Sequence, residues 1–302
     1  MTTESATDTR RPLAIRIAVA SLIANVVIVL TGSLVRLTGS GLGCPTWPQC
    51  TDDSFVATAE QGVHGVIENG NRLLGVLVGL IAIAAVIAVV RMTGWRSVPF
   101  ALSVAILVAV GVQGVVGGLS VRMDLAPGIV AAHFLISMGI VAAATVLIEL
   151  LRARPGPGVT VPRGLRWSIV SLAPALALVH GFGAVVTGAG PHGGDNKAER
   201  FDLDPLLMTI VHGLAVVLFL GLQLVILVGF RMAAINGKPA HSATLLLGLS
   251  LTQGVLGYVQ YLLAIPAILV AIHVVGAALI TWATTLTIVH SLAWRSSSVD
   301  TR

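Results

Sequence analysis

The chain has 302 residues, of which 56% are hydrophobic and only 10% charged, and its mean hydropathy is +0.95. A soluble globular domain carries about a quarter charged residues, so water is not the main solvent of this protein. The formal net charge of +5 does not point to nucleic acid, because Lys and Arg are dispersed over alternate connections between apolar runs rather than gathered in one patch.

A bilayer core of about 30 Å takes roughly 20 apolar residues in helical form, and eight segments meet that length. A short polar stretch, Met1–Pro12, precedes the first expected helix, Ile15–Leu34. No small-residue cleavage signature follows it, so it reads as a retained helix. The others are expected at Gly62–Val90, Val98–Leu119, Pro127–Leu151, Leu165–Val186, Pro205–Phe230, Ala243–Leu263 and Ala267–His290.

The connections alternate in charge. Arg10, Arg11 and Arg16, then Arg91 and Arg96, then Arg152, Arg154, Arg163 and Arg166, then Arg231 and Lys238, and finally Arg295 and Arg302 fall on one side. That side is cytoplasmic by the positive-inside rule, so the expectation is a multi-pass cell-membrane protein with both termini cytoplasmic. The opposite connections carry Asp52, Asp53 and Glu60, or Asp195, Glu199, Asp202 and Asp204. Cys44 and Cys50, the chain's only cysteines, lie in the first outward connection, GLGCPTWPQC. An oxidising compartment would permit a disulfide there, two free thiols being the alternative.

The chain repeats itself. GVQGVVGGLSVRMDLAPGIVAAHFL from Gly111 parallels LTQGVLGYVQYLLAIPAILVAIHVV from Leu251, pairing Gln113 with Gln253, Gly117 with Gly257 and His133 with His273. More weakly, TGSLVRLTGSG from Thr31 matches HGFGAVVTGAG from His180. The expected fold is therefore all-α and membrane-integral: eight transmembrane helices as two pseudo-symmetric four-helix bundles, residues 1–154 and 155–302. Four helices per half make this a parallel repeat about an axis along the membrane normal.

Ionisable residues inside a bilayer need compensation and mark functional sites. His133, His212 and His273 each fall about two turns into a helix that follows Pro127, Pro205 or Pro266, so they share one depth near the outer leaflet. Inward-facing His212 and His273, on two helices of one bundle, suit a heme iron clamped from both faces. Zinc fits less well, since it wants three or four protein donors. In the first half the position corresponding to His212 is Asn71, 62 residues before His133, against an interval of 61 from His212 to His273. Around it, GVHGVIENGNRLL spaces His64, Glu68, Asn71 and Arg72 on one helical face. Glu68 and Arg72 suit an i,i+4 ion pair, a catalytic role, or both. His180 is expected to hydrogen-bond locally rather than line the second pocket.

The run GSLVRLTGSGLGCPTWPQC, the Glu-x-x-Asn-Arg segment from Glu68 to Arg72, and His133, His212 and His273 on even-numbered helices resemble the heme A synthase family over nearly the whole chain. The resemblance implies an oxidoreductase that converts heme O to heme A by successive hydroxylation of a ring methyl to a formyl group, serving cytochrome oxidase assembly. It implies a heme b cofactor on His212 and His273, a substrate heme in the first half on His133, and Glu68 as the catalytic carboxylate. Cys44 and Cys50 would be the family's outward disulfide, served by partner thiol-disulfide proteins. Heme iron is the only metal implied. Heme O synthase is a further partner, and a homo-oligomer is left open.

One position departs from the family. Many members carry His directly before the Arg, where this chain has Asn71, and an amide is a poor iron ligand. Either His133 holds the substrate iron alone or His64 supplies the second ligand. His64 stands about 10 Å along a regular helix from Asn71, which favours the first. Arg36, Arg72 and Arg122 are candidates for heme propionates, whose carboxylates favour guanidinium partners. A diheme b-type membrane cytochrome drawing electrons from quinol is the alternative function.

Overall fold

The computed structural model describes residues 3–153 and 159–292. Arg154, Arg295, Arg302 and the expected boundary between the halves lie outside the described residues. Among the described residues the chain forms eight long helices and no sheet: α1 (Thr3–Leu37), α2 (Gly62–Thr93), α3 (Val98–Arg122), α4 (Pro127–Arg152), α5 (Arg163–Ala189), α6 (Pro205–Met232), α7 (Lys238–Leu262) and α8 (Ala267–Leu292). All eight are long and apolar enough to cross a membrane, and the protein is a multi-pass membrane protein.

Local chemistry sets most helix starts. Proline stands in the first turn of α3, α4, α6 and α7, where its missing N–H costs nothing. The Asp204 carboxylate caps α6 by accepting from the N–H groups of Leu206 and Leu207. Two helices start earlier than their hydropathy suggests: α7 at Lys238 rather than Ala243, and α1 at Thr3 rather than Ile15. At the base of α1, Arg11 donates to the carbonyls of Leu151 and Ala153, and Arg10 to that of Arg91. These arginines satisfy carbonyls left open at the ends of α4 and α2, a favourable place for cations. Apolar periodicity does not report such contacts.

In the first half α1 packs on α2, α2 on α3, α3 on α4 and α4 on α1, closing a ring. In the second, α5, α6, α7 and α8 close a ring through the same succession of neighbours. The rings meet through α4 against α8, α1 against α8 and α4 against α5. Ile140, Ala144, Leu147 and Ile148 of α4 fill the first core with Ala18, Val89 and Ile106, while Ile169, Leu172, Phe219, Ile226 and Leu246 fill the second. At the end remote from the cysteines, Glu149 of α4 accepts from His290 of α8 (3.1 Å) and pairs with Arg152 (3.3 Å).

The turns entering α4 and α8 share one conformation. Asp124 and Leu125 have φ of 48° and 61°, and Ala264 and Ile265 have 57° and 61°. Leu125 N–H donates to Ser120 at 2.7 Å and Ile265 N–H to Gln260 at 2.8 Å. Left-handed backbone at four non-glycine residues is costly. Leu125 offsets part of that cost by burial against Gly41 and Gly194, and the Ile265 carbonyl pairs with the ring of His192. These turns set the entry of α4 and α8, which carry His133 and His273 about two turns further on.

Candidate functional site: two histidine pockets of unequal chemistry

His133 and His273 are held alike. The Gln113 amide donates to the His133 carbonyl at 2.9 Å and to the Ser137 hydroxyl, and the Gln253 amide donates to the His273 carbonyl at 2.7 Å. Each imidazole then lies over a glycine: a Cβ built on Gly117 would stand 3.3 Å from Cε1 of His133, and one on Gly257 3.4 Å from Cε1 of His273. His212 repeats the arrangement over Gly183 of α5, at 3.1 Å. Glycine there lets the ring approach the helix backbone.

The second ring places α6 and α8 at opposite corners, so His212 and His273 come from facing helices. Nδ1 of His133, of His212 and of His273 is buried without a hydrogen bond. Buried polar atoms are almost always paired, so these ring nitrogens stand out, although the His212 ring also lies within reach of the Val179 carbonyl of α5. Paired imidazoles on facing helices in an apolar bundle fit a heme iron, whose preferred axial donors they are. Among the described residues no group of three or more His, Cys, Asp or Glu side chains gathers as a metal site.

His180 is not locally bonded. It is 7% exposed, its Nε2 pairs with the Thr281 hydroxyl of α8 at 2.9 Å, and its ring meets Phe134 of α4 edge to face. It therefore sits between the halves.

In the first half, α2 and α4 occupy the facing corners, carrying Asn71 and His133. The Thr31 hydroxyl donates to Oδ1 of Asn71 at 2.7 Å. Glu68, one turn away, is 5% exposed. Its Oε1 accepts from Arg72 Nε and Nη2, and its Oε2 accepts from the Cys44 N–H at 2.6 Å. Arg72 also donates to the carbonyls of Thr46 at 2.9 Å, Gln49 at 3.1 Å and Cys44 at 3.3 Å. The ion pair thus holds the Cys44–Cys50 loop onto α2. Those cysteines form a disulfide, with Cα atoms 4.5 Å apart. His64 points elsewhere, its Nδ1 pairing with the buried Ser40 hydroxyl at 2.9 Å beside an open groove that Gln61, Asp195 and Asn196 also line.

The other two arginines named from the sequence hold backbone carbonyls. Arg122 donates to Trp47 O through Nη2 at 2.9 Å and Nε at 3.3 Å. Arg36 donates to Thr187 O at 2.8 Å, in the last turn of α5, while its Nε is buried without a partner.

Residues 15–192, more than half of the chain, match the family described as cytochrome oxidase assembly protein. The chain belongs to this family. Curated proteins similar to this chain include the heme A synthases of Alkalihalophilus pseudofirmus (32% identical over 51% of this chain and 54% of the relative), Halalkalibacterium halodurans (28%, over 50% and 51%) and Lysinibacillus sphaericus (27%, over 57% and 55%). The chain spans about half the length of the curated relatives it matches. The heme A synthase family recognised from the motifs is the family found.

Within that family frame, the helices bring Glu68, Asn71 and Arg72 together at one end of the first ring and set His64 apart on a groove. Three residues were invisible as site components in the sequence: Thr31, Trp47 and Phe134. Trp47 carried a signal, standing inside the disulfide loop, but its destination on α3 was not readable.

Proposed function

We propose that this chain is a heme A synthase, oxidising a ring methyl of heme O to a formyl group by successive hydroxylation, for cytochrome oxidase assembly. The observation that carries this reading is the Thr31–Asn71 hydrogen bond at the corner facing His133. It ties an amide where the second half has His212, so the first pocket offers one imidazole and the second offers two. Bis-imidazole ligation closes an iron to other ligands, whereas a single imidazole leaves a face open for chemistry.

His212 and His273 would hold a heme b, which when bound supplies one-electron transfer. His133 would hold the iron of heme O. Glu68 would handle protons at its carboxylate oxygens, with Arg72 and the Cys44 N–H orienting it. Of the arginines, Arg36 retains a buried unpaired Nε and best suits a propionate. The apolar outer faces of the helices would admit the farnesyl tail of heme O from lipid. In this reading the Cys44–Cys50 end faces outward, the termini are cytoplasmic, and heme O synthase and thiol-disulfide proteins are the partners.

The test is expression in membranes that make heme O but lack heme A, followed by pigment extraction and mass analysis. A heme carrying an aldehyde only when this chain is present supports the proposal. Unchanged heme O alongside a correctly loaded second pocket would overturn it.

A further inference from the structure

α3 presents two consecutive glycines, and each receives a ring from another element. Gly117 takes the imidazole of His133; a Cβ on Gly118 would fall 2.2 Å from Cδ2 and Cε2 of Trp47, so the indole lies directly on bare backbone. Successive helical residues point about 100° apart, which puts imidazole and indole on adjoining sectors of the same turn. Trp47 as a whole is half buried.

The anchoring of Trp47 is unusually complete. Arg122 holds its carbonyl, Arg72 holds the carbonyls of Thr46 and Gln49 on either side, and Cys44–Cys50 closes the loop around it. The second half is built differently. The register that pairs Gly117 with Gly257 pairs Gly118 with Tyr258, which grows from α7 itself and is 66% exposed. The first half instead has no side chain on the helix and brings an aromatic ring in on the disulfide loop.

We infer that Trp47 is a ligand-binding residue of the first pocket: its indole, seated on Gly118 beside His133, stacks against the planar tetrapyrrole that His133 holds. Aromatic faces in offset contact attract beyond their area burial, and a rigid indole fixes the tilt of a flat ligand. Gly118 is the positioning residue, since any side chain there displaces the indole. The inference rests on the porphyrin reading of the first half.

The test is a titration of the 302-residue chain in detergent with ferric protoporphyrin IX, followed by Soret absorbance. The fraction of binding lost in His133→Ala defines the first pocket, and the low-spin signal of the second pocket reports folding. Trp47→Ala is expected to weaken His133-dependent binding about tenfold with the second signal intact. Trp47→Phe should restore most of it. Gly118→Ala, which keeps the indole but pushes it off α3, should behave like Trp47→Ala. Undiminished His133-dependent binding in Trp47→Ala would overturn the inference and leave the porphyrin reading standing. Loss of the second-pocket signal together with the first in both Trp47→Ala and Trp47→Phe would also overturn it, marking a structural indole. Absence of any His133-dependent binding in the unaltered chain would sink the porphyrin reading, and the inference with it.

Discussion

Phe134 and His180 meet edge to face across the seam between the halves, ring centroids 5.8 Å apart and planes at 86°. Phe134 follows His133 directly, and His180 lies one helical turn from Gly183, on which the His212 ring rests. The surroundings of His133 and His212 therefore meet at one packed wall. Because His180 also pairs with Thr281, truncating it removes an aromatic contact and a buried hydrogen bond. His180→Ala should lower stability by about 2 kcal/mol, read as a fall in the unfolding midpoint in detergent. Thr281→Val, which spares the ring contact, should cost less; an equal or larger loss would refute this account of the seam.

The Thr31–Asn71 bond leads to a spectroscopic expectation. In the heme-loaded chain, Asn71→His should add a second bis-imidazole, low-spin signal, because α2 and α4 face each other as α6 and α8 do. A spectrum identical to that of the unaltered protein would mean that position 71 does not face the His133 ligand. His64→Ala, whose ring is committed to Ser40, should change first-pocket heme content less than about twofold, whereas His133→Ala should abolish it.

Glu68 and Arg72 form a pair whose side chains are 6% and 19% exposed. Removing one member of such a pair strands the other, at a cost of about 3–5 kcal/mol. Arg72→Leu should therefore destabilise more than the Glu68→Gln/Arg72→Leu double variant, as a double-mutant cycle of unfolding midpoints would measure. Additive losses would show that the two do not act together. Glu68→Gln alone keeps an acceptor for the Cys44 N–H, and should retain heme while losing formyl-heme output if Glu68 handles protons.

Breaking Cys44–Cys50 frees a short loop that Arg72 and Arg122 hold only through carbonyls. Loop-closure entropy puts the loss at about 2 kcal/mol, seen as a lower unfolding midpoint after reduction. Arg122→Leu should deepen the effect of reduction. Identical midpoints with and without reductant would mean that the carbonyl contacts suffice.

Much of this architecture was legible because its cause is local. Eight apolar runs of membrane-spanning length, prolines at helix starts, and the matched Gln-to-His interval in the two halves all act over a few turns, so all eight helices were found, with α1 and α7 starting earlier than expected. The asymmetry at Asn71 was legible for the same reason, since it is a count along an ungapped repeat. The base of α1 was not: what holds it are arginine contacts to Arg91, Leu151 and Ala153, far along the chain.

The sequence by itself determined the fold class, the family, and which side chains are costly enough in lipid to demand a role. Tertiary structure alone decided what those side chains do to one another. Thr31 reaches Asn71 across 40 residues, Cys44 reaches Glu68 across 24, and His180 reaches Thr281 across 101. Burial cost and helical period are properties of a segment and can be read in order. Partnership depends on helix rotation and on where a loop returns, as when Trp47 lands on Gly118, and these are set only when the rings close.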